Sequence, residues 1–366
     1  MKKVLVLANH ILGIYSFRRE LILNMIDEGY EVTIAAPAHE KVSYFTNKGC
    51  KFIETPINRR GTNPIVDLKL IAKYFKIVKK NSPDIILTYT IKPNIYGGII
   101  SRFMKIPYIA NITGLGTVVE NKGILQNLTV LLYRISLKNV SCLFFQNEEN
   151  ERFFKNQNIA LDRHRLIPGS GVNLNYFGLL DYPDDENVEF LFIARIMQEK
   201  GIDQYLEAAE YIKIKYPKTV FHILGNCEEA YVDKLKRMQE KGIIKYHGRQ
   251  DDVREFHKIS HCTIHPTYYP EGMSNVLLES AACGRPVITT NRAGCREIVD
   301  DGMNGYIIEP KNTQQLIEKI ELFLTLNQDA KSRMGKYSRN KVVREFDRQI
   351  VVKAYIEEMN NITNKI

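Results

Sequence analysis

The sequence has no run of 18 or more apolar residues, so no segment of it spans a bilayer as a helix. Its six cysteines (50, 142, 227, 262, 283 and 295) never fall in a CxxC spacing. That excludes a disulfide framework and a zinc ribbon, and it fits buried free thiols in a reducing cytoplasm. There is no helix-turn-helix pattern, no zinc-finger spacing and no basic patch interleaved with exposed aromatics, so a nucleic-acid partner is not expected. No Asp-x-Asp motif is present, so no metal site is expected. The opening Met1-Lys2-Lys3 and the apolar Val4–Ala8 imitate a leader. The run stops at Asn9-His10 without a small-residue cleavage site, and reads as a first buried strand. With 44% hydrophobic and 25% charged residues among 366, the chain is neither disordered nor collagen-like.

What is present is uneven. Residues 1–175 hold 24 Lys/Arg against 13 Asp/Glu, a balance of +11, while the rest hold 27 against 29. A basic first half suits an anionic partner such as a phosphorylated ligand or an acidic membrane surface. Short apolar runs alternate with longer amphipathic ones through both halves, with strands at 3–8, 31–36, 84–89, 107–111 and 141–145, and again from 189–194 onward. The first long helix is expected at 16–28. This is an α/β pattern of βαβ units and parallel sheets. It predicts a first Rossmann-like domain at 1–175, a second at 176–345, and a last helix at 346–366 crossing back to the first. The polar segment 178–188 is expected to be exposed. Two helices, 67–80 and 124–139, combine apolar residues with Lys and Arg. They read either as ordinary sheet-packing helices or as a surface resting on anionic lipid.

The chemistry concentrates in residues 268–290. A loop ends at Pro270-Glu271-Gly272, and a helix begins near Ser274-Asn275 and carries Glu279. Gly272 permits close approach of the backbone. The N–H groups of 272–276 (Gly272, Met273, Ser274, Asn275 and Val276) then form an anion site, with Ser274 as a candidate cap. Glu279 lies one turn further on and can reach the hydroxyls of a ribose whose phosphate sits on the first turn. Glu271 can reach hydroxyls of the group beyond that phosphate. Arg195 and Lys200 follow the strand 190–194 at a spacing of five, where a diphosphate needs its charge neutralised. His247, His261 and His265 invite a metal reading, but their spacing supplies no ligand shell, and core or cleft-lining roles fit better.

These residues carry a resemblance. The chain resembles the retaining nucleotide-sugar glycosyltransferases of family 4, with the GT-B fold: two Rossmann-like parallel-sheet domains facing across a deep cleft. The most specific part is Glu271 and Glu279, with seven residues between them, within 270–288. Supporting parts are Arg195 with Glu199-Lys200-Gly201, His247-Gly248, Gly294–Val299 and Asp301–Tyr306. The resemblance implies that Arg195 and Lys200 contact the donor diphosphate, that Glu271 holds the transferred sugar, and that Glu279 holds the ribose. It implies that the amides of 272–276 support sugar and phosphates, and that Gly13, in the loop after the first strand, approaches the diphosphate. It also implies a front-face reaction in which the donor phosphate takes the acceptor proton. The first half is most similar to transferases of bacterial surface-glycan assembly, through Phe17-Arg18, Thr90–Asn94 and Asn111–Gly116. Such enzymes add a hexose or N-acetylhexosamine to an undecaprenyl-diphospho-saccharide from the cytoplasmic face of the membrane. The implied donor is a UDP-sugar, with no further cofactor. The His that many members carry near the reacting sugar has no counterpart. Asn111 and Thr113 stand in the matching region, and neither His10 nor His39 is assigned to it. A UDP-sugar 2-epimerase and a soluble-acceptor transferase share this architecture; a non-enzymatic binding module fits least.

Overall fold

The computed structural model describes all residues except 59, 60, 62, 117–122, 185, 365 and 366. The chain divides into two units, Met1–Gly171 with Arg348–Ile366, and Val172–Asp347. The divisions fall four residues before and two after the 175 and 345 expected from the pattern. Val172 bonds through its N–H to the Phe346 carbonyl, and so belongs with the second unit.

In the first unit seven parallel strands form one sheet in the order β3-β2-β1-β4-β5-β6-β7. They are β1 (Lys3–Leu7), β2 (Glu31–Ala36), β3 (Lys51–Glu54), β4 (Ile85–Tyr89), β5 (Tyr108–Ile112), β6 (Cys142–Phe145) and β7 (His164–Leu166). The central strands are buried throughout, which is why they read as continuous apolar runs rather than as alternation. The first helix spans Ile11–Asp27, five residues earlier than expected, because the His10 ring caps it by accepting from the Gly13 N–H at 2.7 Å. The helical tail is two helices, Gln328–Glu345 in the second unit and Arg348–Thr363 in the first, with a break at Phe346-Asp347. Arg348 fastens the last helix to the first through Glu20 at 2.9 Å and the Ser16 carbonyl at 3.1 Å. Arg165 adds ion pairs to Glu357 and Glu358 at 2.6 and 2.7 Å.

The second unit carries six parallel strands in the order β10-β9-β8-β11-β12-β13. These are β8 (Val188–Ile193), β9 (Thr219–Leu224), β10 (Lys245–Tyr246), β11 (Cys262–His265), β12 (Val287–Thr290) and β13 (Gly305–Ile308). The segment before β8 is not simply exposed. The guanidinium of Arg285, itself wholly buried, donates to the carbonyls of Leu180 and Asp181 and to those of His257 and Lys258. His261 extends the tie by bonding the Glu189 N–H and the Asp184 carbonyl. A charged side chain satisfied by main-chain carbonyls thus pins the start of the unit. Position 185 within that segment lies outside the described residues.

Both sheets reverse strand order beside their first strand, between β1 and β4 in one unit and between β8 and β11 in the other. Loops leaving the C-terminal ends of such a pair diverge to opposite faces and open a crevice, where ligands of open α/β sheets bind. Residues 194–201 leave β8 and residues 266–274 leave β11. The sequence therefore delivers its chemistry to the switch point of the second sheet.

Candidate active site

The two loops at this switch point are locked together. Residues 198–200 form a single 3-10 turn, and the Glu199 carbonyl accepts from the N–H groups of Tyr268 and Tyr269 and from the Thr267 hydroxyl. Gly201 follows at φ +76°, and a Cβ there would stand 2.1 Å from the Pro266 carbonyl oxygen. Only glycine supplies both that backbone conformation and that clearance.

This frame brings Arg195, Lys200 and Glu271 to one place. Lys200 and Glu271 form an ion pair, with their side chains 12% and 18% exposed. The Tyr269 ring faces both cations: the Arg195 guanidinium lies 5.5 Å from its centroid and the Lys200 ammonium 4.8 Å. A ring face attracts cations, so Tyr269 holds Arg195 and Lys200 near each other despite their mutual repulsion. Arg195 itself is exposed. Gly294 closes the other side at φ +84°, accepting from the Ser274 N–H at 2.7 Å. A Cβ on Gly294 would come 2.7 Å from the Gly272 carbonyl oxygen and 3.1 Å from Glu271 Cβ.

The helix begins at Asn275 and runs to Ala282, with Ser274 at the N-cap position. The Ser274 hydroxyl makes no capping bond, contrary to expectation. The residue is buried, and its main chain is already fixed by Gly294. Asn275 Oδ1 is buried without a hydrogen-bond partner. Gly272 and Met273 are buried in the bend, and Glu279 is half-buried on the second turn. The first-turn N–H groups of a helix lack intrahelical acceptors, so this end favours an anion.

His265 ends β11 beneath the pair, fully buried, with Nε2 4.0 Å from Glu271 Oε1 and neither ring nitrogen hydrogen-bonded. Burial and, secondarily, the Lys200 charge push its pKa down to about 3. It is therefore a neutral ring at working pH and packs the site rather than carrying a proton. His247 stacks on His222 with a 2.9 Å contact between ring nitrogens, and His222 reaches Glu189 at 2.8 Å. His261 is spent on the β8 entry. Among the described residues, no group of three or more His, Cys, Asp or Glu is placed to hold a metal ion.

In the first unit, Gly13 lies in the first turn of a helix and not in a loop. Its N–H is taken up by His10, and a Cβ would strike the His10 ring at 2.2 Å. Asn111 is wholly buried. It donates to the Tyr355 hydroxyl at 2.7 Å and accepts from Gln146 at 3.2 Å, so its side chain is a strut and does not face a ligand. Lys92 is paired with Asp67 at 2.6 Å. Arg18 is 3% exposed, with its guanidinium 5.2 Å from the Tyr89 centroid. The His39 ring accepts locally, from the Lys41 N–H at 3.2 Å.

Sequence reasoning assigned no role to Tyr269 or Gly294. Tyr269 stood inside the quoted motif, but its ring contact depends on the register of two loops. Gly294 lies 23 residues beyond Glu271, and only the fold brings them together.

Comparison with known proteins gives concordant findings. The family described as "Glycosyl transferase 4-like" matches residues 3–147, and "Glycosyl transferases group 1" matches residues 182–341. A relative from Campylobacter jejuni, N,N'-diacetylbacillosaminyl-diphospho-undecaprenol alpha-1,3-N-acetylgalactosaminyltransferase, is 27% identical over 97% of each chain. The Escherichia coli UDP-Gal:alpha-D-GlcNAc-diphosphoundecaprenol alpha-1,3-galactosyltransferase is 24% identical over 88% of this chain and 86% of its own. Among solved structures, a glycosyltransferase from Rickettsia africae superposes with a TM-score of 0.81 at 20% identity over 99% of each chain. Anabaena HepE in complex with UDP superposes at 0.80 with 16% identity, over 99% of this chain and all of its own.

Proposed function

The chain belongs to the glycosyltransferases that join a 4-like first domain to a group 1 second domain, and on that premise we propose what it transfers and how. The reading is a retaining enzyme that needs no metal. It moves a hexose or N-acetylhexosamine from a UDP-sugar to a saccharide carried on undecaprenyl diphosphate, for bacterial surface-glycan synthesis. The relatives from Campylobacter jejuni and Escherichia coli, both named for diphosphoundecaprenol acceptors, support the acceptor class. The observation that carries the donor site is the arrangement of Arg195 and Lys200 around Tyr269, with Glu271 paired to Lys200, beside a helix N-terminus.

In this reading Arg195, Lys200 and the first-turn N–H groups of the helix Asn275–Ala282 neutralise the leaving diphosphate as its charge grows. Glu271 turns from Lys200 to accept hydrogen bonds from the sugar hydroxyls, and Glu279 holds the ribose. The buried main chain of Gly272 and Met273 lines the bend between sugar and phosphate; the Ser274 N–H, expected to join them, is instead spent on the Gly294 carbonyl. Retention follows if the donor phosphate oxygen takes the acceptor proton on the face the nucleotide leaves. The new C–O bond then forms as the sugar–phosphate bond breaks. The enzyme acts at the inner face of the plasma membrane, where such acceptors are assembled, as a peripheral protein; among the described residues no helix is long and apolar enough to cross a membrane.

The test is donor hydrolysis and binding across UDP- and GDP-sugars, read by mass spectrometry, with Glu271→Ala beside the native protein. One UDP-sugar turned over by the native protein and lost in the variant supports the reading. No donor recognised overturns it. NMR of the transferred product then tests retention: an α-linked product from an α-linked donor is expected, and a β-linked product refutes it.

A further inference from the structure

Among the described residues three arginines are buried: Arg18, Arg285 and Arg348. Two of them are well satisfied. Arg285 spends its guanidinium on main-chain carbonyls. Arg348 pairs with Glu20 and donates to the carbonyls of Ser16, Ser170 and Gly171. Arg18 differs from both. It makes no ion pair among the described residues, and Glu20, two residues on, is taken by Arg19 and Arg348. Its Nη1 donates to the Phe17 carbonyl at 2.8 Å, its Nε is buried without a partner, and Nη2 is left as the free arm of the fork. The face of the Tyr89 ring at 5.2 Å is its remaining support. A buried cation so weakly satisfied destabilises a fold, and an arriving anion offsets that cost.

The place of this cation matters. Tyr89 is the last residue of β4, and β4 with β1 forms the switch point of the first sheet. Arg18 belongs to the helix Ile11–Asp27, which follows β1. The guanidinium therefore stands at the carboxyl edge of the sheet, where open α/β sheets take ligands. At this edge the chain turns at Thr90, whose φ of +74° is one a β-branched residue rarely adopts. The Thr90 hydroxyl is buried without a partner as well. Tyr355, on the last helix, packs its ring 6.2 Å from that of Tyr89, and its hydroxyl is held by Asn111 at 2.7 Å. Lys92, two residues past Thr90, is neutralised by Asp67 at 2.6 Å. The charge left unanswered at this edge, among the described residues, is that of Arg18.

We propose that Arg18 is a binding residue for the acceptor, and that it takes an oxygen of the diphosphate on which the acceptor sugar is carried. The proposal rests on the lipid-linked acceptor reading and adds to it the residue that tells a diphospho-linked sugar from a neutral glycoside. A sugar hydroxyl could accept from Nη2 but would leave the charge unanswered. A phosphate oxygen does both, and a guanidinium is the side chain best matched to it. The donor diphosphate is the weaker candidate, because Arg195, Lys200 and a helix N-terminus already meet its charge in the second unit. The surroundings of Arg18 favour the pairing. They are aromatic and largely dry, so an ion pair there is screened little. The Tyr89 face and the Phe17 carbonyl already fix the guanidinium, so little freedom is lost when the anion binds.

The experiment compares two acceptors that carry the same sugar, farnesyl-diphospho-N-acetylglucosamine and octyl N-acetylglucosaminide. Arg18→Met and Arg18→Lys are measured beside the native full chain. In Arg18→Met the KM for the diphospho acceptor is expected to rise about tenfold or more, and that for the octyl glycoside by less than about threefold. Arg18→Lys, a point charge without the fork, should lie between. Arg18→Met should melt no lower than the native protein, because an unpaired charge has left the interior. Equal losses with both acceptors, or a lowered melting temperature with the KM ratio kept, overturn the proposal and make Arg18 a packing residue. Transfer by the native protein to neither acceptor counts against the acceptor reading and not against the site. Phosphorus NMR of inorganic diphosphate, with the donor site filled by UDP, then decides the site alone. Line broadening by the native protein that Arg18→Met abolishes supports an anion site at Arg18. Equal broadening by both, or none by the native protein, overturns it.

Discussion

Glu271→Gln separates the two halves of the donor site. In the unliganded protein Glu271 and Lys200 neutralise each other, both mostly shielded from solvent. A diphosphate must draw Lys200 away from that carboxylate and must also sit near a negative charge. Opposite unit charges in contact attract by about 4 kcal/mol at an effective dielectric near 20. Desolvation of the pair offsets much of this. A net penalty of about 1–2 kcal/mol on diphosphate binding remains, which is roughly a 5- to 30-fold change in Kd. The variant should therefore bind UDP alone more tightly by that factor, measured by titration calorimetry. Its turnover of the UDP-sugar should fall by about 10²-fold, since a neutral amide replaces the carboxylate that orients the sugar. UDP affinity that is unchanged or weaker in Glu271→Gln would refute the assignment of Lys200 to the phosphates and Glu271 to the sugar.

Other substitutions probe the frame. Gly294→Ala must relieve a 2.7 Å approach to the Gly272 carbonyl at a positive φ; it should cost about 2 kcal/mol or more in urea unfolding and depress donor turnover as Glu271 shifts. Ser274→Ala should cost under ~0.5 kcal/mol, against the ~1 kcal/mol usual for an N-cap, because its hydroxyl makes no capping bond. His257 and His265 are both pushed down to about 3, chiefly by burial and then by Arg285 and Lys200 respectively. Their folded pKa values lie below the unfolded value near 6.5, so the unfolded chain takes up protons that the folded chain refuses. Stability is thus fully present above ~6.5 and is lost as pH falls toward ~3, by about 2 kcal/mol per histidine between pH 7 and pH 5. Urea unfolding at those two pH values should show this slope, and His257→Gln should remove about half of what the two rings contribute; an unchanged slope would mean that the His257 ring is protonated in the fold.

Features that depend on neighbours in the chain were legible, and features that depend on register were not. The parallel α/β architecture could be read because β4, β5 and β6 are wholly buried and their apolar runs are unbroken. The loop-to-helix bend at 271–275 could be read because glycine, carboxylate and helix start lie within five residues. The Lys200–Glu271 pair could not, since it needs the loops after β8 and β11 side by side. The first helix was placed late because a histidine is an unusual cap and a glycine in a first turn looks like loop. Asn111 was singled out only through the resemblance, in the region where many members carry a His, but its partners are Gln146, 35 residues on, and Tyr355, 244 residues on. For the helix Ile124–Ser136 the sequence showed an apolar segment with cations. Only packing showed which apolar residues were left outside.

Lys200→Ala, compared with the native protein in transfer of sugar from its UDP donor to a polyprenyl-diphospho-saccharide, tests the account most directly. A fall in kcat of roughly 10²-fold or more, with the fold intact, is predicted for the loss of one cation on the leaving diphosphate. Equal turnover by Lys200→Ala would contradict the donor site described between β8 and β11.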